Sequence, residues 1–184
     1  MEIKISSKQI LKALHVLSWI IFIGICVRAG AYIFNMIFLL TYNPFGGHYF
    51  WDGADLSGLY AFDHGYFIII SCLMILVAIL KALLFYLIIK ILHDKKLNME
   101  MPFNKEVCSF IFKLSYTSLA IGIFSDWVAN YSQWFGKKGV LMPSLESMHV
   151  DGAGAWLFTA VILCVIGYIF KRGIEIQAEN ELTI

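Results

Sequence analysis

Four long apolar runs constrain this chain more than any other feature of its sequence. They cover about 10–42, 66–92, 107–135 and 153–170. Each reaches the ~17–25 apolar residues with which a helix crosses a ~30 Å hydrocarbon core. A soluble domain of 184 residues has one core to fill, whereas here 60% of the residues are hydrophobic and only 15% are charged. The sequence therefore predicts an all-α integral membrane protein, a four-helix transmembrane bundle.

The connections between these spans are too short to hold a separate soluble domain. The whole chain, 1–184, is therefore expected to form a single four-span membrane domain, with residues 171–184 as a tail after span four. No internal repeat divides it further.

Basic residues outside the apolar runs predict the orientation, because Lys and Arg concentrate on the cytoplasmic side of membrane proteins. Here they flank the start of span one, the connection between spans two and three, and the end of span four. These residues are Lys4, Lys8, Lys12, Lys90, Lys95, Lys96, Lys105, Lys171 and Arg172. Only Lys137 and Lys138 flank the opposite ends of the spans. Both termini are therefore predicted to be cytoplasmic, with aromatic residues gathered at the outer boundary.

Several function classes find no support in the sequence. The formal net charge of +1 provides no basic surface for direct binding to nucleic acid. The four cysteines fall one in each span, which argues against a disulfide framework: Cys26, Cys72, Cys108 and Cys164. No phosphate-binding glycine loop and no Gly-x-Ser-x-Gly nucleophile turn occur. Enzymatic activity is left open, with a non-enzymatic role favoured, and no cofactor is predicted.

The five histidines leave a metal or haem site open as a minor alternative. Three of them, His48, His64 and His149, belong to the predicted outer side together with several carboxylates. None has the fixed ligand spacing of a known metal motif, so no metal site is predicted.

Arg28 and Asp126 are the charges whose burial in a bilayer costs most, about 2.5–3.5 kcal/mol each. Both lie about 27–29 Å from the predicted cytoplasmic end of their spans, at ~1.5 Å per residue. Polar side chains accompany them at helical spacing, Asn35 on span one and Ser118 and Asn130 on span three. This pattern predicts a polar seam between spans one and three. The seam either joins the helices or opens outward as a cavity.

Two further features concern the surfaces of the bundle. Lys81 and Lys113 lie in the predicted cytoplasmic halves of their spans and are expected to extend towards the headgroups there. The connection between spans one and two has no Lys or Arg, is rich in aromatic residues, and is expected to fold back onto the bundle. It is either a headgroup-level anchor or a cap over the seam. A cap has polar residues at its rim: Asp52, Asp55, Asp63 and His64.

Two stretches at the predicted cytoplasmic face carry a family resemblance. They are LNMEMPFNKEV, with Pro102-Phe103 before span three, and the final FKRGIEIQAENELTI. Together they resemble the bacterial membrane proteins called domain-of-unknown-function family 2975. The specific residues are the Pro-Phe pair and Gly173, Glu175, Gln177, Glu179, Asn180, Leu182 and Thr183. Glu181 stands where an aspartate is expected, which keeps the charge. The resemblance implies a multi-pass protein of the bacterial inner (plasma) membrane with no assigned activity, often encoded beside a small helix-turn-helix regulator.

The tail after span four is the feature that favours a role in protein interaction. Gly173 is expected to end or bend the span, and the tail beyond it is too apolar to stay solvated. It either packs on its own bundle or docks a cytosolic partner such as the helix-turn-helix regulator. The predicted docking residues are Pro102, Phe103, Glu175, Glu179, Asn180 and Glu181.

The predicted function is therefore a non-enzymatic regulatory or protein-interaction component of the bacterial inner membrane. The alternative is a component that binds or transports a small molecule or ion through the polar seam. Small residues on span four, such as Ala160 and Gly167, leave a homo-oligomer open.

Overall fold

The computed structural model describes residues 7–42, 53–94 and 104–181, apart from the side chains of residues 7, 8, 180 and 181. These ranges contain four long helices and one short helix. They are α1 (Ser7–Tyr42), α2 (Ser57–Phe62), α3 (His64–His93), α4 (Lys105–Lys137) and α5 (Ala153–Glu181). The four predicted spans correspond to α1, α3, α4 and α5, which are all long and apolar enough to cross a membrane. An all-α four-helix membrane bundle is therefore confirmed.

Each long helix packs antiparallel on the next one in the chain. Representative contacts are the Phe22 and Tyr86 rings, the Tyr66 and Phe135 rings, and the hydrogen bond from Ser115 to the carbonyl of Ala160. Among the described residues, the backbone of α1 closely approaches no helix except α3, and that of α5 closely approaches none except α4. The bundle is therefore a row of four helices with α1 and α5 at its two edges.

Polar side chains start two of the helices. Asn104 accepts a 2.8 Å hydrogen bond from the main-chain N–H of Val107 and thereby starts α4. Asp63 accepts a 3.0 Å bond from the N–H of Tyr66 and starts α3. The break between α2 and α3 at Asp63 therefore has a local cause.

The core lies between the two central helices, α3 and α4. Its fully buried side chains include Phe67, Ile70, Met74, Ile121, Val128 and Phe135. The segment around α2 adds Ala54, Leu56 and Leu59, which are also completely buried. The described part of the first outer connection therefore folds back onto the bundle as predicted.

The edge helices leave most of their apolar surface uncovered by the chain itself. Only 6% of the most apolar stretch of α1 and 11% of that of α5 is buried, against 39% and 44% for α3 and α4. Such surfaces suit lipid or another copy of the chain.

At its far end α5 continues past Gly173 to Glu181. Of the two alternatives predicted for Gly173, an end of the helix is therefore wrong, since a glycine costs an α-helix only about 1 kcal/mol.

Candidate functional site

A lysine near the middle of α3 is the centre of the candidate site. Lys81 lies about 26 Å from the His64 end of α3 and about 18 Å from the other end. Its ammonium donates a 2.8 Å hydrogen bond to the main-chain carbonyl of His149, which belongs to the connection between α4 and α5. The prediction that Lys81 extends towards the predicted cytoplasmic headgroups is therefore wrong. The connection from the other side of the bundle reaches it instead.

The connection between α4 and α5, residues 138–152, re-enters the bundle. Gly122 on α4 is so close to Leu157 on α5 that a Cβ there would lie 2.7 Å from the leucine side chain. Gly122 is about 22 Å below the end of α4 at Lys137, whereas Leu157 is only about 6 Å from the start of α5 at Ala153. The start of α5 therefore lies roughly 16 Å deeper than the end of α4. We call residues 138–152 the re-entrant connection.

Part of the backbone of the re-entrant connection is paired through local hydrogen bonds. The N–H groups of Met148, His149 and Val150 donate to the main-chain carbonyls of Ser144, Glu146 and Leu145 respectively. The N–H of Ser147 donates to the hydroxyl of Ser144. Non-helical backbone survives at membrane depth only when its polar groups are paired or line a polar cavity. The N–H groups of residues 147–150 meet that condition, and Met148 and Val150 are buried in the core.

His149 joins the re-entrant connection to two different helices. Its ring nitrogen Nδ1 lies 3.1 Å from the hydroxyl of Tyr32 on α1, and its carbonyl accepts from Lys81 on α3. Its φ of 55° is in the left-handed region, which costs a non-glycine residue roughly 1–2 kcal/mol. A conformation of this kind persists only when surrounding contacts impose it. Here Tyr32 and Lys81 supply two of those contacts.

Charged groups surround this junction. Arg28 lines an open cleft of about 450 Å³ together with Ser144, Glu146, Ser147 and His149 of the re-entrant connection. Arg28 and Asp151 both lie within electrostatic range of the Lys81 ammonium, and the Trp156 ring centre is 5.6 Å from it. We call the group formed by Arg28, Lys81, Glu146, His149 and Asp151 the polar cleft. The helices contribute its two cations and the connection contributes its two carboxylates.

The predicted seam between spans one and three does not form. Among the described residues α1 and α4 make no contact, because α3 lies between them. Arg28 faces the re-entrant connection, whereas Asp126 is exposed on α4 and accepts a 2.8 Å hydrogen bond from Asn130. Asn35 is half-buried on α1, and Ser118 is fully buried without a hydrogen-bond partner among the described residues. Equal depth along two helices predicts a pair only if those helices are neighbours.

Asn130 instead lines an aromatic pocket of about 470 Å³ near the predicted outer boundary. Its other walls are Tyr66, Trp127, Tyr131 and Trp134. The Lys138 ammonium lies 3.7 Å from the centre of the Trp134 ring, a cation–π contact. An aromatic cluster with a basic residue above it is typical of a headgroup-level anchor.

The predicted rim residues serve local structure where they are described. Asp55 accepts a 2.9 Å bond from the N–H of Ser57, and Asp63 starts α3. The exposed His64 ring is 4.2 Å from the ring of Tyr60. Asp52 lies outside the described residues.

The predicted docking residues are described only in part. Pro102 and Phe103 lie outside the described residues, as do the side chains of Asn180 and Glu181. Arg172 on α5 contacts Glu175 at 3.0 Å and Glu179 at 3.9 Å, so these two acids meet a cation of their own helix.

The main feature that the sequence prediction missed is the role of Lys81. A lone lysine at mid-span in an apolar helix is itself a sign of function, and that signal was available in the sequence. The acceptor of its hydrogen bond could not be predicted from the sequence, because Lys81 and His149 are far apart in the chain.

Comparisons with known proteins add no relative. No family model matches the chain, and neither the curated proteins nor the solved structures contain a match. The resemblance to family 2975 therefore stays a prediction. Within the described ranges no group of three or more His, Cys, Asp or Glu side chains could hold a metal ion.

Proposed function

We propose that this multi-pass membrane protein binds a small anionic or zwitterionic solute in the polar cleft. The observation that carries the proposal is the hydrogen bond from Lys81 to the re-entrant connection, next to Arg28. Both cations project from long helices, whereas Glu146 and Asp151 are exposed on the re-entrant connection. A soluble carboxylate or phosphate can reach Arg28 through the open cleft that Arg28 lines with Glu146. Lys81 does not line that cleft, but it adds positive charge next to it through its hydrogen bond to the His149 carbonyl.

The energetic cost of the two cations supports a role beyond joining helices. Each basic residue at the centre of a span costs about 2.5–3.5 kcal/mol on insertion scales. Arg28 on α1 and Lys81 on α3 are both cations and repel each other, so an apolar pair of similar size would join these two helices better. Such residues inside a membrane usually mark a ligand or ion pathway.

Solute access to the cleft can be tested with a cysteine at Ser147. In a chain with its four native cysteines replaced by alanine, Ser147→Cys should react with a membrane-impermeant methanethiosulfonate reagent. Ser118→Cys, in the core, is the matched control and should stay unreacted. Equal reaction at both positions, or none at Ser147, would contradict an open cleft.

Binding itself can be tested by thermal unfolding of the purified protein with single small carboxylates, phosphates and amino acids. A compound that fits the cleft raises the unfolding temperature of the natural chain. The same compound should fail with Lys81→Met and Arg28→Gln but keep its effect with Lys90→Met. If no compound distinguishes these variants, the proposal is wrong.

The predicted cytoplasmic end of α5 favours a second function. Cys108 on α4 lies 3.7 Å from the carbonyl of Gly167 on α5, so the first turn of α4 is level with about residue 170. The helix then extends roughly 16 Å further to Glu181. Glu175, Ile176 and Glu179 are exposed on this extension.

This extension supports the role of a regulatory or protein-interaction component of the bacterial inner membrane, with both termini in the cytoplasm. Its partner is a cytosolic protein, such as a small helix-turn-helix regulator. Deleting 174–184 should abolish co-purification of the partner while the chain still inserts into the membrane. Retained co-purification would exclude this role. An alkaline phosphatase fusion at the C-terminus should be inactive if the terminus is cytoplasmic.

A further inference from the structure

A second polar pocket lies at the opposite end of the bundle, between the last turns of α3 and the first turns of α4. Its volume is about 310 Å³, and it is open to the surface. Three lysines line it, Lys90 from α3 and Lys105 and Lys113 from α4. By the distribution of basic residues, this end is the predicted cytoplasmic face.

The three lysines have no carboxylate partner among the residues that the structure describes. Among the described residues, the ion pairs all involve Arg172 on α5, which is not part of this pocket. Two acids, Asp94 and Glu106, also line the pocket without pairing to the lysines. Glu106 lies in the first turn of α4, where a negative charge is favourable beside the unpaired N–H groups. The pocket therefore presents a surplus of positive charge.

The pocket also has an apolar side. Ile91 and Phe110 line it and belong to a second small core cluster between α3, α4 and α5. Lys113 lies about 12 Å deeper along α4 than Lys105. The lysines thus extend from the predicted cytoplasmic surface of the membrane into the adjacent part of the hydrocarbon region, where Ile91 and Phe110 form an apolar wall. A soluble anion needs only the charges, whereas a lipid uses both the charges and the wall.

We infer that this pocket binds the headgroup phosphate of an anionic phospholipid from the predicted cytoplasmic leaflet. Lys90, Lys105 and Lys113 surround the phosphate, and the first carbons of an acyl chain lie against Phe110 and Ile91. Basic pockets between membrane helices suit such headgroups because the lipid carries its charge at this depth. This site is separate from the polar cleft, so neither depends on the other.

The test is native mass spectrometry of the purified protein with phosphatidylglycerol or phosphatidylcholine of matched chains. The natural chain should retain phosphatidylglycerol selectively. Each of Lys90→Gln, Lys105→Gln and Lys113→Gln should weaken that retention by about fivefold, with little effect on phosphatidylcholine. Glu106→Gln should strengthen it, which a general loss of folding cannot do.

Matched controls distinguish lipid binding in the pocket from attraction by general surface charge. Lys171→Gln removes a lysine at the same predicted face but outside the pocket, and it should leave retention unchanged. An equal loss in Lys171→Gln would overturn the proposal in favour of diffuse attraction. Displacement of phosphatidylglycerol by millimolar inorganic phosphate would also overturn it, since the pocket would then take a free anion. Circular dichroism in phosphatidylcholine vesicles checks that each variant is folded.

Discussion

The ammonium of Lys81 donates a 2.8 Å hydrogen bond to the carbonyl of His149, across a separation of 68 residues in the chain. This bond joins the middle of α3 to a connection that enters from the opposite side of the bundle. It also explains how a lysine can lie deep in an apolar helix without reaching either membrane surface.

Replacing Lys81 with methionine should loosen the re-entrant connection. The change removes a charged hydrogen bond, which is worth about 1.5–3 kcal/mol, and leaves the His149 carbonyl without this donor. Amide hydrogen exchange at Met148 and Val150 should accelerate by about ten- to one-hundredfold. Lys90→Met removes the same charge from an exposed position at the end of α3 and should leave that exchange unchanged. Unaltered exchange in Lys81→Met would show that the bond does not hold the connection.

Exchanging the charges of Arg28 and Asp126 should not restore a chain damaged by either single change. The sequence alone predicts rescue, because the two residues match in depth. In the fold α3 separates their helices, and Asp126 contacts Asn130 instead. Protein levels of Arg28→Asp, Asp126→Arg and the double variant decide between the two expectations. Recovery in the double variant would mean that α1 and α4 are neighbours after all.

Adding one methyl group at Gly122 should separate α4 from α5. A Cβ there would lie 2.7 Å from the Leu157 side chain and 3.1 Å from its main-chain nitrogen, so a rotamer change of Leu157 would still leave a tight contact with the backbone of α5. Gly122→Ala should therefore lower the free energy of unfolding by about 1–3 kcal/mol. Gly24→Ala is the control, since no atom lies within 4 Å of a Cβ there. That change should be neutral or stabilising by about 0.5–1 kcal/mol, because alanine favours a helix. Unfolding in detergent measures both.

Two buried serines of α4 should respond in opposite ways to alanine. Ser115 donates a 2.8 Å hydrogen bond to the carbonyl of Ala160 on α5, so Ser115→Ala should cost about 0.5–1.5 kcal/mol of unfolding free energy. Ser118 is also buried but has no hydrogen-bond partner within the described ranges. Ser118→Ala should therefore be neutral or stabilising, because it removes an unpaired hydroxyl from the core. Equal destabilisation of both would show that Ser118 is hydrogen-bonded too.

The four spans could be predicted from the sequence because each helix is set by local rules. Apolar length determines where a helix can cross the membrane, and residues such as Asn104 determine where it starts. The first outer connection was also predictable in part, since apolar residues such as Leu59 must be buried. The depths of Arg28 and Asp126 could be estimated for the same reason. The same local rules could not predict which helices lie side by side.

The candidate site depended on that missing information. Arg28 stands out in the sequence as a charge within an apolar span, but its surroundings come from the re-entrant connection. The sequence places Lys81 at the membrane surface, whereas this same connection contacts it. Glu175 and Glu179 differ, because their contacts with Arg172 lie within one helix. The sequence predicts these two acids as docking residues, and their spacing from Arg172 also permits the local contacts.

The sequence by itself determined that this chain is an all-α membrane protein of four spans, because the hydrophobic effect and helix length act residue by residue. Only the tertiary structure decided that the helices form a row and that residues 138–152 return into the bundle. These features depend on contacts between distant residues, such as Gly122 with Leu157 and Lys81 with His149. Side-chain size and hydrogen-bond geometry select those contacts in three dimensions. A hydropathy pattern contains no information about either.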